Sequence, residues 1–387
     1  MRRLSIGIIS FLTVLAAAGE DVWQASWIGV PERTGSRATP SKKRPEIAIK
    51  KALYGVAGNP AKQIDLTGKF QQAVHCGQFI VSADNETAGR DPAYGIEKTL
   101  ELEYTVNEKT VTRSVAEKTA LNLTTGRPAK VNSAPARKEA SQWTCFRKVF
   151  HLDKAPEQAV ARIAVDSKYW LWINGKLVVF EGQLKRGPTP EDTYYDRADL
   201  TKHLRMGDNT IAILVWYFGK HGFSHKSSGK SGLVFDASMD GQQLLSNSEW
   251  KALIHPAFGN TGPPHPNRRL PESNIRFDAR EDMLDWQQPG FDDSRWPAAE
   301  AYGKPPCTPW NKLLLRPVPF WKDFGLKAYV NAKDIPAVSD GTTIKLKLPY
   351  NAQVTPYLKI EAPAGKVIDL RMDNYRGGKA VNVRGEY

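Results

Sequence analysis

The chain has 387 residues, enough for two or three domains that each bury a core. Hydrophobic residues make up 41% of it, charged residues 25% and aromatic residues 10%, a composition that excludes a disordered or fibrous protein. The net charge is +13, and part of the excess lies in a Pro-containing stretch at 32–51, which is typical of an exposed connection. Because no nucleic-acid-binding motif accompanies this stretch, we expect no nucleic-acid partner.

The first 19 residues have the pattern of a cleaved export signal. Arg2 and Arg3 precede an apolar run over 4–15, and the alanines at 16–18 provide a small-residue cleavage site. With its flanking alanines the run is about 15 residues long, short of the roughly 20 that cross a bilayer as a helix, so we do not expect an integral membrane protein. The sequence therefore predicts a secreted or periplasmic protein.

The next part of the chain, 20–140, is predicted to hold one strand, a linker and a small inserted domain. The first strand and the basic linker occupy 20–37, and an inserted β-module with a second linker occupies 38–140. Runs of β-branched and apolar residues predict strands at Gln78–Ser82 and Thr99–Val106. Between them, Asp, Asn, Gly and Pro predict a turn-rich loop.

Residues 141–258 have the pattern of an antiparallel jelly-roll β-sandwich. Short alternating or apolar runs are bounded by Gly, Asn and Asp, whereas helical spacing is rare. Asn174-Gly175 separates two apolar runs and predicts a β-hairpin, because both central residues of a type I′ turn need positive φ. Residues 197–204 are predicted to form a helical turn. The predicted strands are Phe146–Leu152, Ala159–Val165, Tyr169–Ile173, Leu177–Phe180, Thr210–Tyr217 and Gly232–Ser238.

The last third of the chain is predicted to consist of two parts. Residues 259–338 form a Pro/Trp-rich connecting segment that we expect to wrap over neighbouring domains. From Thr342 a new alternating pattern begins, so 339–387 are predicted to be an incomplete second β-sandwich. Two or three strands cannot close a sandwich, and we therefore expect the chain to be cut short inside a domain. The fold class predicted overall is mostly β.

Five stretches together resemble the N-terminal region of secreted bacterial α-L-rhamnosidases. The resemblance covers about 20–30 and 142–387, and 47–123 more faintly resemble a small β-module that is appended to other secreted proteins. The order of the stretches makes the combination specific, although each is weak alone. They are WQASWIG at 23–29, FRKVFHL at 146–152, DSKYWLWINGKLVVFEG at 166–182, YYDRADLTKHLRMGDNTIAILVWYFG at 194–219 and FDAREDMLDWQQPGFDDSRWPAA at 277–299.

The resemblance implies an inverting glycoside hydrolase whose catalytic residues lie on an (α/α)₆ barrel beyond residue 387. Inverting hydrolysis needs two carboxyl groups about 6.5–9.5 Å apart, and no catalytic residue is carried over to this chain. Asp278 and Asp282 superficially echo the acidic barrel motif, but we expect Arg280 to form ion pairs there. Neighbouring carboxylates at Asp292-Asp293 and Glu191-Asp192 are expected to be solvated loop charges.

Sugar binding without catalysis needs an aromatic face for the C–H side of a ring and polar groups for its hydroxyls. Candidates for this role lie in the predicted loops of the sandwich, although for 216–225 the pattern favours the alternative that the aromatics pack against the next domain. The candidates are Trp216, Tyr217, His221, His225, Arg186, Tyr195 and Asp196.

No cofactor is predicted, and a structural calcium ion has little support. Asp84, Asn85 and Asp91 form one acidic loop, and Asp236 and Asp240 another, but neither has an ordered ligand spacing. His221 and His225 are four residues apart, yet the surrounding glycines indicate a loop and not a helical metal pair. The three cysteines are widely spaced, so at most one disulfide can form.

The sequence therefore predicts an exported accessory region that supports an absent catalytic barrel and binds rhamnose-containing glycans or plant glycosides. The alternative is a free-standing carbohydrate-binding or cell-surface interaction protein without catalysis. Whether the chain has enzyme activity of its own stays open at this point.

Overall fold

The computed structural model describes residues 22–31, 46–75, 79–129, 141–184, 187–222, 225–266, 274–352, 354–375 and 380–387. The predicted export signal, most of the basic stretch, the end of the second linker and Arg186 lie outside the described residues. Among the described residues, no helix is long and apolar enough to cross a membrane.

The described residues form 23 strands and two short α-helices, so the predicted mostly-β class is confirmed. The helices are α1 (Thr67–His75) and α2 (Asn85–Ala88). The strands of the first third are β1 (Trp27–Gly29), β2 (Ile47–Gly55), β3 (Gln63–Asp65), β4 (Ile80–Ala83), β5 (Thr99–Val106), β6 (Lys109–Ala116), β7 (Thr119–Asn122) and β8 (Arg127–Ala129). The middle third has β9 (Gln142–Leu152), β10 (Ala159–Asp166), β11 (Lys168–Ile173), β12 (Lys176–Gly182), β13 (Thr193–Asp199), β14 (Gly207–Tyr217), β15 (Gly232–Met239), β16 (Gln242–Leu245) and β17 (Lys251–Ile254). The last third has β18 (Phe258–Gly259), β19 (Asn274–Phe277), β20 (Glu300–Gly303), β21 (Leu313–Leu315), β22 (Asp369–Tyr375) and β23 (Ala380–Glu386).

The centre of the molecule is a sandwich of two sheets. One has the order β20-β1-β15-β10-β13-β21, with β16 paired to β15, and the other has the order β12-β11-β14-β9-β17. One core cluster contains inward side chains from both sheets, including Ile163 and Phe235 from the first and Phe146 and Ile213 from the second. Successive side chains of a strand point to opposite faces of the sheet. Along β11, Tyr169 and Leu171 therefore face this core while Trp170 and Trp172 face outward. The predicted sandwich is confirmed.

The predicted hairpin forms as expected. Asn174 and Gly175 have φ angles of 51° and 78°, and they connect β11 to β12. Asn174 Oδ1 accepts a hydrogen bond from the backbone N–H of Thr210 at 3.0 Å, which ties the turn to β14. The helical turn predicted at 197–204 is shorter than expected, because β13 extends to residue 199 and leaves a 3₁₀ turn at Thr201–His203.

The inserted module has its own core. One sheet has the order β3-β2-β5-β6 and another has the order β4-β7-β8. Phe70 and Val74 of α1 pack with Tyr54 and Tyr104 of the larger sheet in a cluster separate from the sandwich core. A hydrogen bond from Gln72 Nε2 to the carbonyl of Pro306 at 3.1 Å connects the module to the connecting segment. In that segment Cys307 is disulfide-bonded, whereas Cys145 is free and buried.

The connecting segment packs over the sandwich and also contributes strands to it. Its strand β20 pairs with β1, and its strand β21 pairs in parallel with β13. Trp286 and Trp296 pack on the outer face of the second sheet. Trp310 stacks on Trp27 of β1, with ring centroids 4.2 Å apart. The segment therefore covers outer faces that would otherwise expose rows of aromatic side chains.

The C-terminal part contains fewer strands than its alternating pattern predicts. β22 and β23 pair with each other, and β23 also pairs in parallel with β19. Residues 342–348, which read as a strand in the sequence, form none, and Ile344, Leu346 and Leu348 are 37–40% exposed. A strand needs a neighbour for its backbone N–H and C=O groups, and no described strand lies beside this stretch.

Candidate functional site

An open cleft of about 340 Å³ lies on the sandwich. Its walls are strand β12, the end of β13 with the turn after it, and residues 320–323. The volume falls at the small end of the range for small-molecule sites, about 300–1,000 Å³. The residues that line it are Leu177, Val178, Val179, Phe180, Ala198, Asp199, His203, Phe320, Trp321 and Asp323.

The apolar wall comes from the edge strand of the second sheet. Among the described strands, β12 pairs with β11 only, so it is an edge strand of that sheet. Leu177 and Phe180 remain 43% and 42% exposed, although Val179 of the same strand is buried in the core. The Phe180 ring is held edge-on against Trp170, with centroids 6.4 Å apart. The edge strand thus presents fixed apolar surface to the cleft.

The polar wall is the turn that follows β13. Asp199 Oδ1 accepts hydrogen bonds from the N–H and the hydroxyl of Thr201 at 2.9 and 2.6 Å. These bonds hold the pKa of Asp199 below its usual range, so its carboxylate is ionised at neutral pH. The backbone carbonyl of His203 accepts a hydrogen bond from Asn174 Nδ2 at 3.0 Å, which fixes the turn to the hairpin.

His203 brings a nitrogen without a partner to the same wall. Burial, with the nearby charge of Lys176, lowers the pKa of His203, so its ring is neutral at pH 7. Its Nδ1 atom is buried and makes no hydrogen bond to any described residue. This nitrogen has no exposed surface for a bound molecule, so within the described residues it is an unpaired buried polar atom, which costs free energy.

The aromatic side of the cleft is held in place by a buried ion pair. Asp196 is only 3% exposed, and it accepts hydrogen bonds from Tyr169 Oη and the backbone N–H of Gln183, each at 2.9 Å. Arg316 forms an ion pair with the same carboxylate and lies over the ring of Phe320, 5.1 Å from its centroid. Asp196 therefore positions Arg316, and Arg316 in turn packs on Phe320 at the aromatic side of the cleft.

The structure places most of the sequence-predicted sugar contacts inside the protein. Trp216 is 2% exposed, its ring stacks on Trp143 at 4.1 Å, and its Nε1 donates to Ser141 Oγ at 2.7 Å. Tyr195 is 4% exposed and lies edge-on against Trp23. With Asp196 it belongs to strand β13, not to a loop as expected. These side chains have no free face for a sugar, and the structure assigns them to packing and positioning.

The loop after β14 keeps two predicted candidates near the surface. Tyr217 is half-buried and its hydroxyl accepts from Ser227 Oγ at 3.2 Å. His221 is exposed, and its Nδ1 accepts from the backbone N–H of Ser227 at 3.1 Å. Their role in glycan binding stays a prediction. None of the six described candidates lines the cleft, and the seventh, Arg186, lies outside the described residues.

His225 belongs to a buried cluster with Asp166 and Ser167 that the sequence did not reveal. The Ser167 hydroxyl donates to Asp166 Oδ1 at 2.7 Å and lies 3.1 Å from His225 Nε2. Asp166 Oδ1 lies 3.4 Å from the same nitrogen. In a nucleophilic triad the acid and the serine contact opposite ring nitrogens. Since both contact Nε2 and all three side chains are at most 5% exposed, this cluster is a structural network.

The neighbouring carboxylates singled out in the sequence have different partners in the structure. Asp278 pairs with Arg280, as expected, and this ion pair lowers the pKa of Asp278 to about 2. Asp292 Oδ1 accepts from the backbone N–H of Ser294 at 3.0 Å. Asp293 is not a solvated loop charge, because it forms a 2.8 Å ion pair with the fully buried Arg147.

The aspartates of the two acidic loops, for which calcium had little support in the sequence, have protein partners. Asp91 lies 3.2 Å from Lys98 Nζ, and Asp236 lies 3.0 Å from Arg162 Nη2. Asp84 and Asp240 accept hydrogen bonds from backbone N–H groups. Within the part of the chain that the structure describes, no three His, Cys, Asp or Glu side chains come together as a metal-binding group.

The sandwich is similar in sequence to a domain of known proteins. Residues 154–313 match the family model described as the alpha-L-rhamnosidase N-terminal domain. This part of the chain is related to the N-terminal region of α-L-rhamnosidases. The matched range runs from before β10 to the first residue of β21, so it includes the part of the connecting segment up to residue 313.

Two curated relatives carry the same name. An alpha-L-rhamnosidase of Streptomyces avermitilis is 26% identical over 197 residues, which cover 49% of this chain and 15% of the relative. An alpha-L-rhamnosidase of Formosa agariphila is 27% identical over 267 residues, which cover 61% of this chain and 26% of the relative. The aligned part of this chain thus spans about a quarter or less of either relative.

Among solved structures, a GH78 family rhamnosidase of Bacillus sp. GL1 is 30% identical, with a TM-score of 0.39, and the match covers 46% of this chain and 19% of the other. A lectin of Pleurotus ostreatus is 14% identical, with a TM-score of 0.31, and the match covers 76% of this chain and 94% of the lectin.

The sequence contained a weak signal for the cleft. Trp321 and Asp323 place an aromatic ring two residues from a carboxylate in the Pro-rich segment, a pairing that suits a sugar site. Leu177 and Phe180 appeared only as strand residues, because the position of β12 at a sheet edge depends on pairings between distant parts of the chain.

Proposed function

We propose that this chain is the exported, accessory N-terminal part of an α-L-rhamnosidase-like glycoside hydrolase, and that it binds rhamnose-containing glycans. The observation that carries the proposal is the match of 154–313 to the α-L-rhamnosidase N-terminal domain. The basic start, apolar centre and alanines of the first 19 residues support export.

The support of a catalytic barrel is the second part of the proposal. Many apolar side chains of 330–367 are exposed, among them Val338 at 84%, Tyr350 at 70% and Val367 at 72%. So many exposed apolar side chains within one stretch of chain support a role of this stretch in binding another domain. We expect the helical catalytic barrel to cover this surface.

The third part is glycan binding at the cleft. Exposed aromatic and apolar side chains meet the side chains of Asp199 and Asp323 there. Sugars need both kinds of surface, because one face of the ring carries C–H groups and its rim carries hydroxyls.

The test measures hydrolysis of a rhamnoside by the chain and binding of the chain to a polysaccharide. The purified chain is incubated with p-nitrophenyl α-L-rhamnopyranoside, and we expect no release of p-nitrophenol above the buffer control. In affinity electrophoresis we expect a rhamnose-rich polysaccharide to retard the chain, with a gel containing dextran as the control. Turnover by the chain alone would overturn the accessory role, and equal migration in both gels would overturn glycan binding.

A further inference from the structure

We propose that the inserted module forms a covalent cross-link on its own, an amide bond between the side chains of Lys98 and Asp91 whose formation Glu117 catalyses. The three residues lie in the module, outside the range 154–313 on which the proposed function rests. The inference therefore goes beyond the proposed function and can be tested without it.

The first observation is a lysine held inside the protein between two carboxylates. The side chain of Lys98 is only 4% exposed, and its Nζ lies 3.2 Å from both Asp91 Oδ1 and Glu117 Oε1. Nζ also donates to the carbonyl of Ile96 at 2.9 Å. Lysine is rarely buried to this extent unless its charge is paired. One carboxylate balances one ammonium, so the second is available for a different role.

Glu117 has the position of a proton-transfer group. Its Oε1 accepts a hydrogen bond from Tyr54 Oη at 3.3 Å, and its Oε2 accepts one from the backbone N–H of Lys98 at 3.2 Å. Both oxygens are therefore fixed beside the amine, and the side chain is only 15% exposed. General acid–base catalysis needs a carboxylate within hydrogen-bond reach of the proton that moves.

Asp91 has the position of the group that the amine attacks. Its Oδ1 accepts a hydrogen bond from the backbone N–H of Ala93 at 2.9 Å. Such a donor stabilises the negative charge that develops on a carbonyl oxygen during attack. The Asp91 side chain is 30% exposed, compared with 15% for Glu117, so a released water molecule can leave toward solvent.

The reaction is a condensation that needs no external reagent. Glu117 takes a proton from the Lys98 ammonium, and the neutral amine attacks Cγ of Asp91. The bond from Nζ to Cγ forms and the bond from Cγ to Oδ2 breaks. Glu117 passes the two protons that leave the nitrogen to Oδ2, which departs as water. One ammonium and one carboxylate become one amide and one water molecule, with no change of oxidation state.

Contact and burial favour the amide over the ion pair. Groups that a fold holds together react with effective molarities of about 10⁵–10⁸ M. The amide also removes the charge of a buried ammonium, which is costly to keep out of water. Burial acts to lower the pKa of Lys98, but the hydrogen bonds to Glu117 and Asp91 raise it overall. The ion pair is therefore the starting state, and proton transfer to Glu117 has to precede the attack.

The experiment is peptide mapping of the purified full chain by mass spectrometry, after denaturation, reduction of the disulfide and digestion with trypsin. Trypsin does not cleave after a lysine whose side chain is acylated. We expect a peptide that runs from Asp91 to Lys109 without cleavage after Lys98. Its mass should be lower than its sequence requires by the mass of one water molecule.

Two variants separate the chemistry from the ion pair. Glu117→Gln keeps the length of the side chain and a hydrogen-bond acceptor but cannot take up the proton. Lys98→Arg keeps the positive charge but has no nucleophilic amine. We expect both variants to lose the mass deficit completely and to be cleaved normally after residue 98. Circular dichroism spectra that match the wild-type spectrum show that both variants fold.

Lys168 is the control within the same molecule. Its side chain is also buried, but among the described carboxylates it pairs with Glu181 alone, at 2.9 Å. We expect its peptides to have full mass and trypsin to cleave after Lys168.

Three results would count against the proposal. A wild-type peptide of full mass, with cleavage after Lys98, would overturn it and leave an ion pair only. A mass deficit together with normal cleavage after Lys98 would also overturn it, because the water would then have been lost from another group. A deficit that persists in Glu117→Gln would overturn the role of Glu117.

Discussion

At the scale of single residues, Arg147 has the largest structural role that the sequence did not predict. Its guanidinium is fully buried and pairs with Asp293 at 2.8 Å. It also donates to the carbonyls of Trp286 at 2.8 Å, Gln288 at 3.0 Å and Phe291 at 3.3 Å. One side chain on β9 therefore satisfies four acceptors on the connecting segment, and it holds that segment against the sheet.

Arg147→Ala should destabilise the fold strongly. It leaves the Asp293 carboxylate and three carbonyls without their donor, and breaking a buried pair on one side costs about 3–5 kcal/mol. Urea denaturation followed by tryptophan fluorescence measures this loss. Lys148→Ala is the matched control, because the neighbouring Lys148 pairs with Glu249, which is 70% exposed, and a surface pair contributes about 0–1 kcal/mol. Equal effects of the two substitutions would contradict the role of Arg147.

At the scale of elements, both the local sequence and a tertiary contact determine which residues the Asn174-Gly175 hairpin can have. Positive φ at both residues follows from the dipeptide itself. The contact with the connecting segment does not follow from the dipeptide. A Cβ at Gly175 would lie 2.1 Å from Gln288 Oε1 of that segment. Glycine is thus required here both for the turn and for close approach of another chain segment.

Gly175→Ala should cost about 1–3 kcal/mol of unfolding free energy from backbone strain, plus the cost of moving Gln288. Gly207→Ala is the control, since Gly207 has a φ of 88° and open space at its Cβ position. We expect Gly175→Ala to be the more destabilising change. In a Gln288→Ala background the two alanine substitutions should cost similar amounts, and a persistent difference would refute the contact with Gln288.

At the scale of the whole molecule, the sandwich depends on residues far apart in the sequence. β1 precedes the inserted module, yet it pairs with β15 and β20. Asp196 of β13 likewise pairs with Arg316, 120 residues further along the chain. The part of the connecting segment from residue 283 to residue 316 is therefore part of the sandwich's folding unit.

In a chain that ends at residue 258 the sandwich should lose its cooperative unfolding transition, whereas the inserted module keeps its own core. This chain lacks β20, β21, the Trp310 ring that stacks on Trp27, and all the partners of Arg147. A chain that ends at Arg316 keeps these contacts and should retain a cooperative thermal transition. Circular dichroism melting curves compare the two. A sharp transition of the shorter chain at the temperature of the longer one would show that the connecting segment is dispensable.

The sequence alone determined the mostly-β class, six strands of the sandwich and the hairpin, because strand alternation and turn chemistry are local properties, whereas it placed the residues of β13 in a loop and a helical turn. It also carried the relationship to α-L-rhamnosidases through the order of its motifs. Only the tertiary structure decided that Trp216, Tyr195 and Asp196 are buried and that Leu177, Phe180 and Trp321 line one cleft. Burial depends on which segment covers a sheet face, and here residues 283–313 do so from far along the chain. The alternating pattern of 342–348 fails as a strand for the same reason, since a strand is completed only by its neighbours.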